Sequence, residues 1–139
     1  MKKNELVSKI ASTSLLTVHT AQKMSEVRKL FKEKKIHHLP VVSGDKLVGL
    51  ISATDMVALS FSAYAADERS VDAVLDSQFS IEEVMQKGIT TLHHSDSIKK
   101  AAEILAEGRF HSLPIVDDNN ELKGIVTSTD LISYLLAQY

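Results

Sequence analysis

The chain holds only two prolines, and they stand in nearly the same surroundings, Leu39-Pro40-Val41-Val42 and Leu113-Pro114-Ile115-Val116. Their offset of 74 residues carries backwards, pairing Thr17-Val18-His19 with Thr91-Leu92-His93 and Ile36-His37 with Phe110-His111. Forwards it becomes 75 and pairs Gly49 with Gly124 and Asp55 with Asp130. The added residue falls in Asp117-Asp118-Asn119-Asn120-Glu121, where a hairpin turn absorbs it. Of 41 aligned positions, 11 are identical and most others exchange like for like, so two copies of one unit make the chain and its fold is built twice.

At 139 residues and 44% hydrophobic, the chain is one domain's worth and can bury roughly 68–70% of its unfolded surface. A single copy of roughly 60 residues buries less and is marginal alone. The two are therefore expected to pack against each other about a pseudo-twofold axis. Without cysteine there is no disulfide, thiolate nucleophile or Cys-ligated zinc. A net charge of −2 and the lack of a long Lys/Arg block argue against a nucleic-acid partner. No apolar stretch reaches the ~18 residues of a membrane span, and the first residues carry no signal-type apolar region, so a cytoplasmic location is expected.

Each copy reads as β-α-β-β-α, a mixed α/β class. Short apolar strands lie at Leu15–Val18 and Ile89–Leu92. Helices follow, with Met24, Val27, Leu30 and Phe31, or Ile98, Ala101, Ala102 and Leu105, at helical spacing. Two β-rich runs around a turn then predict hairpins: Leu39–Val42 with Leu47–Ser52, and Leu113–Val116 with Leu122–Thr127. A proline in the first run of each places that run at an edge or starts it at the proline. Second helices start near Thr54-Asp55 and Thr129-Asp130 and continue through Met56, Val57, Phe61 and Tyr64, or Leu131, Ile132, Leu135 and Leu136. The boundaries read 1–66 for the first copy, 67–79 for a charged, weakly patterned connector and 80–139 for the second. In the second, Ser80-Ile81-Glu82-Glu83 forms a capping box opening a short helix. The closing helices carry more apolar surface than one small sheet covers, which predicts a homodimer.

The repeated Gly49-Leu50-Ile51-Ser52-Ala53-Thr54-Asp55 and Gly124-Ile125-Val126-Thr127-Ser128-Thr129-Asp130 carry chemistry. A strand ending at Ser52 or Thr127 and a helix starting by Asp55 or Asp130 gather a hydroxyl, a carboxylate and free backbone N–H groups at one corner. Helix N-termini attract anions. A carboxylate there can accept both hydroxyls of a ribose, while the hydroxyl and amides face a phosphate. Leu39, Ile51, Leu113 and Val126 are candidates to sandwich a flat base. A plainer alternative has Asp55 and Asp130 as helix caps and Ser52 and Thr127 as strand ends.

With h-x-h-P in the first hairpin strand and Gly-h-h-(Ser/Thr)-x-x-Asp at the second, two copies in register, the chain resembles a cystathionine β-synthase (CBS) domain pair, or Bateman module, over nearly its whole length. The resemblance implies an independent regulatory module that senses cellular energy by binding AMP, ADP, ATP or S-adenosylmethionine in clefts between the copies. It implies no required cofactor, an effector protein that responds, and dimerisation. It further implies that Asp55 and Asp130 hold ribose and that Ser52 and Thr127 face ribose or phosphate. His37, His38, Pro40, His111, Ser112 and Pro114 then line the cleft, with Thr17, Thr54, Thr91 and Thr129 beside them. In the family an arginine often stands where this chain has His38 and Ser112. Arg109 lies nearby, either toward phosphate or packed at the helix end.

His37-His38 and His93-His94 are adjacent pairs, and adjacent residues on a regular strand point to opposite faces, so neither pair ligates one metal from strand geometry. A His-based metal site between the copies is a lesser alternative. There is no glycine-rich phosphate loop, Gly-x-Ser-x-Gly or His-Glu-x-x-His, and a symmetric pair of sites suits binding better than acid/base chemistry. The reading is a sensor and not an enzyme; its rival is a structural interaction module without ligand.

Overall fold

The structure, a computed structural model, describes residues 5–62 and 68–139. Its elements run β1 (Val18–His19), α1 (Met24–Glu33), β2 (His38–Ser43), β3 (Lys46–Ser52), α2 (Ala53–Ser62), α3 (Glu68–Gln78), α4 (Ile81–Val84), β4 (Leu92–His93), α5 (Ile98–Ala106), β5 (Ser112–Val116), β6 (Leu122–Thr127) and α6 (Ser128–Ala137), with a 3₁₀ turn at Val7–Lys9 before β1. Two three-stranded mixed sheets result, ordered β1-β2-β3 and β4-β5-β6. Tyr64, expected on the second helix, lies outside the described residues. Among those described, no helix is long and apolar enough to cross a membrane.

The proline-bearing strands are central and not at an edge, because the parallel partner is short. β1 pairs only with Val41 and Val42, and β4 only with Ile115 and Val116. Pro40 and Pro114 therefore sit before that partner begins, where a missing N–H breaks no parallel ladder bond. The hairpin turns absorb the length difference as expected. The β2–β3 turn places Gly44 at φ +62°, and the longer β5–β6 turn places Asn120 at +61°, the residue types that tolerate a left-handed backbone. In that longer turn, burial pushes the Asp117 carboxyl up. The N–H groups of Glu121 and Asn119, with Lys123, outweigh it and hold the group below the usual range.

The chain forms two compact units. One contains Leu16–Gly44 and Val48–Ile89. Its core joins Val18, Met24, Val27, Leu39, Val41, Ile51 and Met56 to Val71, Leu75 and Ile81. The segment read as a connector therefore supplies part of a core. Val71 and Leu75 are fully buried on α3. α3 also caps α1, whose own N-cap Lys23 makes no side-chain bond: the Asp76 carboxylate accepts from the Ser25 N–H (2.9 Å) and hydroxyl (2.7 Å). Arg28 pairs with Asp72 at 2.9 Å alongside.

The other unit contains Asp45–Leu47, Thr90–Tyr139 and the described residues before Leu16. Val7, completely buried, joins Leu92, Ala101, Leu105, Leu113, Ile115 and Val126 in its core. Its helix α5 is capped locally, the Ser97 hydroxyl accepting from Lys100 N–H. The Tyr134 hydroxyl on α6 donates to the Glu5 carboxylate, and that bond raises the phenol above its ordinary pKa.

A short leader thus precedes each copy: Val7 to Ser12 in one, Ile81 to Gln86 in the other, 74 residues apart. Each leader crosses the second hairpin strand of its unit beside the motif glycine. Ser12 and Ile125 exchange both backbone hydrogen bonds (2.9 and 3.0 Å), as do Gln86 and Leu50 (2.8 and 3.1 Å). A Cβ on Gly124 would stand 3.0 Å from the Ser12 carbonyl oxygen, and one on Gly49 2.4 Å from the Met85 sulfur. Glycine permits the crossing.

Ile81, a leader residue remote from both hairpins in sequence, fills the β1–β3 core. Ile81→Ala is expected to lower unfolding free energy by about 2–5 kcal/mol, measured by urea denaturation, with exposed Glu82→Ala as the near-neutral control.

Candidate functional site

The hairpins deliver the two corners that the motif predicts. In the β4–β6 unit β6 ends at Thr127, whose side-chain oxygen accepts from the Asp130 N–H at 3.1 Å while the Asp130 Oδ2 accepts from the Thr127 N–H at 2.8 Å. This is a complete capping box at the start of a ten-residue helix. The Ser128 N–H donates to the His111 carbonyl at 3.0 Å, tying the start of α6 to the residue before β5. The β1–β3 unit repeats the arrangement. Ser52 Oγ accepts from Asp55 N–H (3.0 Å), Asp55 Oδ2 accepts from Ser52 N–H (3.3 Å), and Ala53 N–H donates to the His37 carbonyl (2.8 Å).

Both aspartates are therefore helix caps, as the plainer alternative holds, but the cap uses one carboxylate oxygen. A carboxylate offers about four acceptor sites on two oxygens. Asp55 and Asp130 are half-buried, with the first-turn residues Thr54 and Thr129 exposed beside them, so each corner still faces solvent with a negative carboxylate and a helix start. The corners differ in one contact: the Gln86 side-chain amide donates to Asp55 Oδ2 at 2.9 Å. Gln86 drew no notice in the sequence because its leader matches the other only at apolar positions.

The apolar candidates Leu39, Ile51, Leu113 and Val126 have no exposed surface and sit inside the two cores. Directly opposed residues of an antiparallel ladder share a face. Leu113 opposite Val126 defines the core face, and Ser112 opposite Thr127 the other. Ser112 is 5% exposed, and its hydroxyl has no hydrogen-bond partner among the described residues. Pro40 and Pro114 are buried on the two middle strands. His37, His111 and Thr17 are exposed, while His38 and Thr91 are half-buried. The Arg109 guanidinium lies 5.5 Å from the Phe110 ring centroid, a cation–π contact at the end of α5.

Two of the repeated histidines fasten turns. His19 Nε2 accepts from the Gly44 N–H at 3.1 Å, and His93 pairs through Nε2 with Asp118 Oδ1 at 2.6 Å and through Nδ1 with Ser95 Oγ at 2.6 Å. His93 and His94 have ring centroids 4.4 Å apart. β4 ends at His93, so strand alternation does not separate them as expected. Among the described residues no group of three His, Cys, Asp or Glu side chains is placed to hold a metal ion.

A CBS domain model matches residues 7–61 and again 81–137. The uncharacterized protein MJ1225 of Methanocaldococcus jannaschii is 30% identical over 132 residues, covering 94% of this chain and 47% of its own length. The chain spans less than half the length of MJ1225 and of several other curated relatives it matches. Among solved structures, CBSX2 of Arabidopsis thaliana in complex with AMP superposes with TM-score 0.79 at 24% identity, over 96% of this chain and 98% of that one. The CBS domain pair of protein MJ0100, in complex with 5′-methylthioadenosine and S-adenosyl-L-methionine, superposes with TM-score 0.74 at 27% identity, over the same shares.

The Thr127 hydroxyl caps α6 and leaves the carboxylate of the corner in place. Thr127→Ala is expected to cost about 0.5–2 kcal/mol in chemical denaturation without added ligand.

Proposed function

The chain belongs to the CBS domain family, in two tandem copies, and we propose that it is a regulatory module whose strand-to-helix corners bind an adenosine-containing small molecule. The observation that carries this reading is the capped corner itself. Asp130 keeps acceptor capacity after capping α6, beside the exposed first turn of a ten-residue helix. A ribose diol donates to such a carboxylate, and the phosphate or carboxylate of the same ligand meets the helix start. The adenosine compounds bound by the MJ0100 pair support the ligand class. In this reading Asp55 and Asp130 are ribose acceptors, and Ser52 and Thr127 orient them through the cap. Exposed His37, His111 and Arg109 stand near enough in sequence to meet a negative group. Thr54 and Thr129 offer first-turn amides. The output is a change in affinity for an effector protein.

Calorimetric titration with AMP, ATP and S-adenosylmethionine tests it. Wild type is expected to bind at least one of the three at millimolar concentration or tighter, and Asp55→Ala/Asp130→Ala to bind it roughly tenfold to over a hundredfold more weakly, since a hydrogen bond to a charged group is worth about 1.5–3 kcal/mol. Wild type binding none of them overturns the reading.

A homodimer formed by the closing helices is proposed alongside. Val57 and Phe61 on α2 are 61% and 81% exposed, and Ile132 and Leu136 on α6 are 60% and 69% exposed. Phe61 also lines, with Phe31, Met56 and Val57, an apolar groove of about 510 Å³ between α1 and α2. Apolar side chains grouped on one helix face mark association. Light scattering at micromolar concentration is expected to return twice the chain mass for wild type and one chain mass for Phe61→Asp/Leu136→Asp.

A further inference from the structure

The two corners share a sequence motif but not a neighbour. Gln86 is held beside Asp55 by both backbone hydrogen bonds to Leu50, and from there its side-chain amide donates to Asp55 Oδ2. An amide N–H on a carboxylate makes the contact that a ribose hydroxyl makes. In the other unit the same crossing is made by Ser12, bonded to Ile125 just as Gln86 is bonded to Leu50. Serine is two methylene-length steps shorter than glutamine, and Asp130 receives no contact from it; the Asp130 side chain bonds only to Thr127 N–H among the described residues. A second, independent observation marks that corner. Ser112, opposite Thr127 and on its sheet face, buries a hydroxyl with no partner among the described residues, and a buried unsatisfied hydroxyl calls for one. The equivalent position beside Ser52 is His38, which is half-buried and not without a partner.

We propose that the corners are unequal: Gln86 acts as an internal stand-in for ligand at Asp55, while the Asp130 corner, with the Ser112 hydroxyl beside it, takes the ribose of the adenosine-containing ligand. The inference rests on the nucleotide-binding reading and adds which corner answers first and which residue decides it. Position 12 and its repeat equivalent, position 86, set occupancy: a short side chain leaves the carboxylate to its cap alone, and a long amide adds a second donor to the capped oxygen. A ribose diol that takes both Asp55 oxygens must displace the Gln86 amide from Oδ2, so its apparent affinity falls about tenfold for each 1.4 kcal/mol that contact is worth.

Exchange of the two residues tests this in the full chain. Both side chains are exposed and both positions hold their strands through backbone atoms, so the variants keep the fold, which unchanged thermal midpoints verify. Calorimetry with AMP, ATP and S-adenosylmethionine is expected to give wild type one strong site per chain. Ser12→Gln weakens that site about tenfold or more, Gln86→Ser adds a second site of comparable affinity, and Ser112→Ala weakens the first site without changing the number. Two equal sites in wild type, or Ser12→Gln binding as tightly as wild type, overturn the inequality and leave the nucleotide reading intact. Binding of none of AMP, ATP and S-adenosylmethionine by any of the four proteins overturns both.

Discussion

At Gly124 the Ser12 carbonyl oxygen lies 3.0 Å from where a Cβ would stand, and a pair of backbone hydrogen bonds to Ile125 keeps it there. That close approach, repeated at Gly49 by Met85, closes each core with an apolar leader residue, Val7 or Ile81, that neither hairpin could supply. The glycine of the repeated motif is thus a packing requirement before it is anything else. Because the crossing lies three residues ahead of the capping hydroxyl, it also brings residue 86 within reach of the Asp55 carboxylate. Core closure and the chemistry of the corner are consequences of one strand crossing.

The corner shows why a structural role and a binding role need not compete. Capping satisfies orphan amides of the first helical turn and takes one oxygen of the aspartate. It also fixes the carboxylate rotamer, so the remaining acceptor sites are oriented before a ligand arrives and little side-chain entropy is left to lose. Serine in one copy and threonine in the other serve equally, since only the hydroxyl oxygen enters the box.

What was legible in the sequence follows from how local each feature is. The repeat, the hairpins and the Ser/Thr-x-x-Asp boxes are short-range, and Pro40, Pro114, Gly49, Gly124, Asp55 and Asp130 announce them directly. The central placement of the proline strands was not, because it depends on β1 and β4 being only two residues long. Alternation along a strand identifies two faces without saying which one meets the core, so it does not show that Leu39, Ile51, Leu113 and Val126 lie in the cores. α3 looked weakly patterned since only Val71, Val74 and Leu75 bear its apolar stripe. The contact that fastens it, Asp76 to Ser25, spans 51 residues. Gln86 was invisible for the same reason, its partner Asp55 lying 31 positions earlier.

The leaders also set an order in time. Val7 is made well before the side chains that bury it, Leu92, Leu113 and Val126. The β1–β3 unit can close once Ile81 has emerged. The β4–β6 unit must wait for its last strand while Val7 remains uncovered. Joining segments so far apart costs loop-closure entropy, and contacts of that separation slow folding. Synthesis therefore completes the β1–β3 core before the β4–β6 core.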